Sequence, residues 1–146
     1  MNKIKSKIIG TGILFLILSC KTYTITTDSF REQMIKAKSE YMTEVEINNP
    51  LNWKNIKYTS NNIDRLIVLD KNGNSIYLNN SPSIEMRVTH RNGKKTIFYF
   101  DTVIIENDTL KGGRSRFIQK ITKQIPMDSI VRIELQDGGK KYNYQN

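Results

Sequence analysis

The stretch Ile84–His90 alternates strictly: Ile84, Met86 and Val88 are apolar, and Glu85, Arg87 and Thr89 between them are polar. Period two marks a strand with one face on a core and the other in water. An Asn92-Gly93 pair follows, and then Thr96–Ile105, a run that is apolar on both faces. A strand, a tight turn and a longer strand in succession demand antiparallel pairing, so the fold must contain an antiparallel sheet. The doubly apolar run fits a long strand that bends across a barrel and exchanges its inner and outer sides.

The same punctuation recurs. Leu66–Asp70 and Ser75–Leu78 flank Asn72-Gly73, a pair suited to the positive φ angles of a tight hairpin. Glu106–Asp108 reads as another turn. In Ile125–Leu135 a turn led by Pro126 precedes a strand in which Val131, Ile133 and Leu135 alternate with Arg132 and Glu134. Asp137–Lys140 then turns the chain into Tyr142 and Tyr144. Short strands joined by glycine turns predict a small barrel or curled sheet over about 64–144.

Only Thr27–Tyr41 has a different period. Phe30, Met34, Ala37 and Tyr41 recur at helical spacing, Asp28 or Ser29 is placed to cap, and Ser29 with Glu32 has capping-box spacing. Glu32 and Lys36 sit four apart on the outside. The expected class is α+β, mainly β: one N-terminal amphipathic helix over about 28–42, packed on a small, strongly curled antiparallel sheet or barrel. Asn48–Trp53 reads as a loop, with Trp53 either a core or lid residue or a ligand-stacking ring.

At the start of the chain, Lys3, Lys5 and Lys7 precede Ile8–Leu18, interrupted only by Gly10, Thr11 and Gly12. As a helix that segment is about 16 Å long, against a bilayer core of about 30 Å, so it reads as a secretory leader and not a span. It runs into Ile17-Leu18-Ser19-Cys20, which resembles a bacterial lipobox, although Leu18 departs from the small residue often found there. The resemblance implies cleavage before Cys20, a thioether-linked diacylglycerol and an amide-linked acyl chain on it, together enough for a stable anchor. The expected organisation is a leader over 1–19, a short tether over 20–26 and a single domain over 27–146.

Of the 146 residues, 127 remain after such a leader, which suits one domain. The chain has 23 Lys and Arg against 14 Asp and Glu, and three of the lysines lie in the leader. The remaining excess is moderate and scattered. It fits anionic headgroups or acidic partners, while an exported chain would not meet nucleic acid.

Residues able to do chemistry are sparse. With one histidine, His90, and one cysteine assigned to lipid, no convergent ligand set for a metal is expected, and no cofactor. His90 beside a turn reads as a solvated imidazole, and no Gly-x-Ser-x-Gly elbow is present. Asp101, Glu106 and Asp108 form the nearest thing to a carboxylate cluster, yet the last two look like turn residues. The chain is not expected to be an enzyme. In Lys111–Phe117, two glycines beside Arg114 and Arg116 offer N–H groups and guanidinium forks to a phosphate or carboxylate. The segment lacks the GK[ST] ending of a phosphate loop, and an ordinary solvated basic loop is the other reading.

Over Ser83–Tyr144 the order of strand, NG turn, long bent strand, short strand, Pro-led turn and final strand resembles small Sm-like or Src-homology-type barrels. The segments FYFDTV, GGRSRF, IPMDSI and IELQDGGKKY are similar to a family of uncharacterised small lipoproteins of Bacteroidetes, especially flavobacteria. That resemblance implies a Gram-negative envelope and an architecture, but no activity and no site residues. Lys21 stands where an Asp would imply inner-membrane retention in enteric bacteria, so the expected location is the outer membrane, facing the periplasm. Two functions remain open. One is a non-enzymatic module that docks an envelope protein. The other is a binder of a small anionic ligand or cell-wall fragment in a groove near Trp53, Arg114 and Arg116. The oligomeric state is also open.

Overall fold

The computed structural model describes residues 21–51 and 54–145; the expected leader, Cys20 and Trp53 lie outside the described residues. In chain order the elements are β1 (Thr22–Ile25), α1 (Thr27–Gln33), β2 (Thr43–Ile47), β3 (Ile56–Ser60), β4 (Arg65–Leu69) and β5 (Ser75–Asn79). They continue with β6 (Ile84–His90), β7 (Lys95–Tyr99), β8 (Ile104–Glu106), β9 (Thr109–Gly113), β10 (Thr122–Pro126) and β11 (Ile130–Asp137). Among the described residues the protein is mainly β, with one α-helix and antiparallel sheets throughout.

Six strands in the order β5-β4-β1-β11-β6-β7 form an open sheet, with β5 and β7 at its edges, and not the closed or strongly curled barrel expected from the turn pattern. The reason lies in Thr96–Ile105. After β7 the chain makes a 3-10 turn at Phe100–Thr102, leaves the large sheet and enters a second one, β10-β9-β8. The run is apolar on both faces because it serves two sheets in succession.

The expected tether is a strand. Thr22, Tyr23, Thr24 and Ile25 are β-branched or aromatic, and all four pair with β11, while Thr24 also faces Leu69 of β4. A segment that reads as a polar leash therefore lies inside the sheet, and the helix follows this strand instead of opening the fold. Its cap is neither Asp28 nor Ser29 but Thr26, whose side chain accepts the Ser29 N–H at 3.2 Å. The helix is also shorter than its apolar stripe. It ends at Gln33, after which Ile35 and Ala37 bond three residues back instead of four. Phe30, Met34 and Ala37 still reach the core, whereas Tyr41 sits exposed in a 3-10 turn, Ser39–Tyr41.

Gln33 gives the short helix a second use. Its amide receives the Ile67 N–H at 2.7 Å and donates to the Ile67 carbonyl at 3.0 Å. The side chain thus continues the ladder along β4 past the point where β1 turns away into the helix.

The core lies between the inner face of the large sheet, α1 and the three-stranded sheet. Leu66, Val68, Met86, Val88, Phe98 and Ile133 come from the first of these, Phe30 and Met34 from the helix side, and Leu110 and Ile125 from the small sheet. In β11 the register slips between Ile130 and Arg132, so Ile130 is buried and Val131 is pushed into solvent, contrary to its place in the alternation. At both NG turns only the glycine has positive φ, 81° at Gly73 and 79° at Gly93, and the glycine N–H bonds back to Asp70 or His90. This is a type I turn closed by a left-handed glycine. Positive φ at two adjacent residues occurs instead at Asn107 and Asp108, which join β8 to β9.

The hairpin β2–β3 is a separate two-stranded sheet with its own cluster of Ile47, Tyr58 and Tyr142. The last residues strap it down. Gln145 N–H donates to Glu46 C=O at 2.8 Å, and Asn48 exchanges bonds with Lys141 and Asn143.

Candidate functional site

A cleft of about 390 Å³ opens where the small sheet meets the β2–β3 hairpin. Leu110 and Ile125, paired across β9 and β10, face the core, so the rows beside them face the opposite way. Ile104, Lys111 and Gln124 form one such row, and Gly113 with Thr122 the next. This is the cleft floor. Tyr58 and Thr59 supply a wall, and Ser115, Arg116 and Gln119 a rim. Hydroxyls, amides and cations dominate the polar lining, which includes no carboxylate.

Arg116 is the most constrained of these residues. It is 1% exposed, its Nη1 lies 2.7 Å from Asp101 Oδ1, and its Nη2 donates to the Pro82 carbonyl. The guanidinium also lies over two rings, 4.6 Å from Tyr58 and 4.2 Å from Tyr99. Asp101 is fully buried, and its other oxygen accepts the hydroxyls of Tyr58 and, at 2.8 Å, Tyr144. Burial, and then the Asp101 charge, push the Tyr144 hydroxyl up to about 12 and the Tyr58 hydroxyl well above the usual phenol range. Both phenols therefore stay protonated at neutral pH and remain donors. The 3-10 turn that carries Asp101 is itself held by Asn61, whose amide donates to the carbonyls of Phe100 at 2.9 Å and Val103 at 2.8 Å.

The arginine pair expected to grip an anion is thus divided. Arg116 is consumed by the Asp101 network, and Arg114 is exposed on the loop between β9 and β10. The two glycines are not a cradle either, because they belong to β9. Gly113 gives its N–H to Thr102 Oγ1 at 2.8 Å. Gly112 is bare for packing: a Cβ there would stand 2.8 Å from the Phe98 ring and 3.0 Å from Val103. The third expected contact, Trp53, lies outside the described residues, as does Cys20.

The carboxylates also separate. Glu106 accepts the Ser39 N–H at 2.9 Å, the Ser39 hydroxyl, and Lys111 Nζ at 3.0 Å, while Asp108 pairs with Arg31. No two of Asp101, Glu106 and Asp108 share a site suited to paired acid and base work. His90 is not a free imidazole but half-buried and bonded to Thr96 Oγ1 at 3.0 Å. Burial, then the charges of Lys123 and Lys94, lower its pKa. Lys123 shares the face of Gly112 and reaches toward Thr96 at 3.5 Å, so its charge stands behind the floor.

Sequence reasoning missed Lys111, Tyr58 and Tyr144. Lys111 had a signal, since it alternates between Leu110 and Gly112 and so must face away from the core. Tyr58 and Tyr144 each lie 43 residues from Asp101, and nothing local marks them. Among the described residues no group of three metal-ligating side chains converges, and no helix is long and apolar enough to cross a membrane. Compared with protein-family models, curated proteins and solved structures, the chain matches none.

Proposed function

We propose that this chain is a lipid-anchored, non-enzymatic protein of a Gram-negative envelope, akin to the small lipoproteins of Bacteroidetes, whose cleft binds a small anionic cell-wall fragment. It is held through Cys20 at the outer membrane and faces the periplasm. The observation that carries the binding reading is the cleft floor, where Lys111 stands among Thr122, Gln124 and Ser115; its ammonium pairs with Glu106 at 3.0 Å, a carboxylate outside the lining, so a ligand carboxylate would share or displace that pairing. Hydroxyl and amide groups suit a sugar, and the lysine suits a carboxylate on it. The groups that would serve as acid or base are committed elsewhere, Asp101 to Arg116 and His90 to Thr96.

The test is calorimetric titration of the full chain, in detergent, with N-acetylmuramic acid, a sugar bearing a carboxylate. A charge-assisted hydrogen bond contributes about 1.5–3 kcal/mol, so Lys111→Gln should weaken binding roughly tenfold or more. Equal affinity in that variant, or no binding at all, removes the proposal. A second reading, docking of an envelope protein, is favoured by the open edge at β5, where Tyr77 is exposed and an incoming strand has backbone groups to pair with. It predicts a specific protein crosslink from position 77 in intact cells, and its absence counts against docking there.

A further inference from the structure

We propose that the loop between β9 and β10, residues 114–121, is a membrane-contacting tip that seats the domain on an anionic bilayer surface. Within this loop the usual distribution is inverted. Phe117, Ile118 and Ile121 are 53%, 56% and 41% exposed, while the charged Arg116 is buried. Arg116 explains the inversion, because its side chain is drawn inward to Asp101 and the two aromatic rings, and the residues after it are left facing out.

The tip is a built structure. Arg114 N–H closes it on the Ile121 carbonyl at 2.8 Å, Ile121 N–H turns back to Ile118 C=O at 3.0 Å, and Ile118 N–H is taken by Ser115 Oγ at 3.0 Å. Three of its backbone N–H groups are bonded within the loop, while three large apolar side chains are exposed. Adjacent exposed apolar residues of this kind mark a contact surface, unlike the single ones scattered along strands.

Charge selects the kind of surface. From Thr109 to Met127 the chain has five Lys or Arg residues and no Asp or Glu. Arg114 and Lys120 are exposed on the loop itself, and neither forms an ion pair with a carboxylate among the described residues. Apolar side chains between cations of one sign match an anionic lipid interface, which takes the first into its acyl boundary and attracts the second.

Position agrees with this. Arg116 donates to the Pro82 carbonyl, the neighbouring Ser83 hydroxyl donates to Asp137, and Gln136 beside it is the cross-strand partner of Thr22. The loop therefore lies at the end of the large sheet where β1 begins, at Thr22. Gln119 also reaches the Lys57 carbonyl, which sets the loop beside the hairpin whose tip carries the exposed Leu51.

This inference goes beyond the cleft reading, and its test does not depend on ligand binding. A Phe117→Trp chain in a Trp53→Phe background, otherwise full length, is reconstituted into phosphatidylcholine vesicles with or without one third phosphatidylglycerol. Brominated lipids should quench position 117 in the anionic vesicles, whereas a Tyr77→Trp reporter in the same background should stay unquenched. Adding Arg114→Glu and Lys120→Glu should lower the ratio of bound to free loop by roughly tenfold or more. Whether Cys20 carries lipid is read separately, by the mass of the same sample. A reporter at 117 that stays unquenched, or is quenched no more than the one at 77, overturns the proposal. So does a crosslink from 117 to a protein in intact cells.

Discussion

At the scale of single residues, the ion pair of Arg116 and Asp101 governs the region around the cleft. Both side chains are essentially out of water, so their attraction is offset by desolvation, and the pair is held by the tyrosine hydroxyls, the Pro82 carbonyl and the flanking rings. Taking away one charge strands the other. Asp101→Asn is therefore expected to destabilise the fold by about 3–5 kcal/mol, and Arg116→Met combined with Asp101→Asn by less than either change alone would suggest. Urea unfolding of the two single variants and the double variant measures the coupling, and additive losses would contradict it. Little of this was legible in the sequence. Arg116 in a glycine-flanked basic loop is indistinguishable from a solvated arginine until the topology brings Asp101 and Tyr58 to it.

At the scale of elements, legibility depended on whether a segment does one job or two. The β6 strand serves a single environment and its alternation matches its burial, whereas in β11 the register slip between Ile130 and Arg132 turns Val131 out of the alternation that its sequence shows. Thr22–Ile25, too short and polar to stand out, is a strand because its neighbours β11 and β4 complete it, and Thr96–Ile105 changes sheets midway. The apolar stripe runs past the helix because Tyr41 keeps the spacing of Phe30, Met34 and Ala37 although the chain has already left α-helical geometry.

One inter-element tie titrates. Glu106, at the end of β8, holds the 3-10 turn at Ser39 and also Lys111, and the hydrogen bonds from Ser39, then that from Lys111, lower its pKa to about 2 from about 4.5. A carboxyl lowered on folding binds fewer protons in the folded state, so its contribution is complete above about pH 4.5 and is lost as pH falls toward about 2. Glu106→Gln should lower the urea midpoint at pH 7 and show a shallower decline than the parent between those values. Parallel curves for the two proteins would contradict the assignment.

At the scale of the whole molecule, one end of the large sheet gathers the chain's entry at Lys21, the C-terminal end of β11 and the basic, apolar-tipped loop. Beside that loop the cleft opens between the small sheet and the β2–β3 hairpin. Such an arrangement would give a domain anchored at Cys20, as proposed above, a defined face toward a membrane. Mass spectrometry of the chain isolated from bacterial membranes tests this most directly. The account predicts a first residue of Cys20 carrying diacylglycerol, with the leader absent; an intact leader, or an unmodified Cys20 thiol on a freely soluble chain, would contradict it.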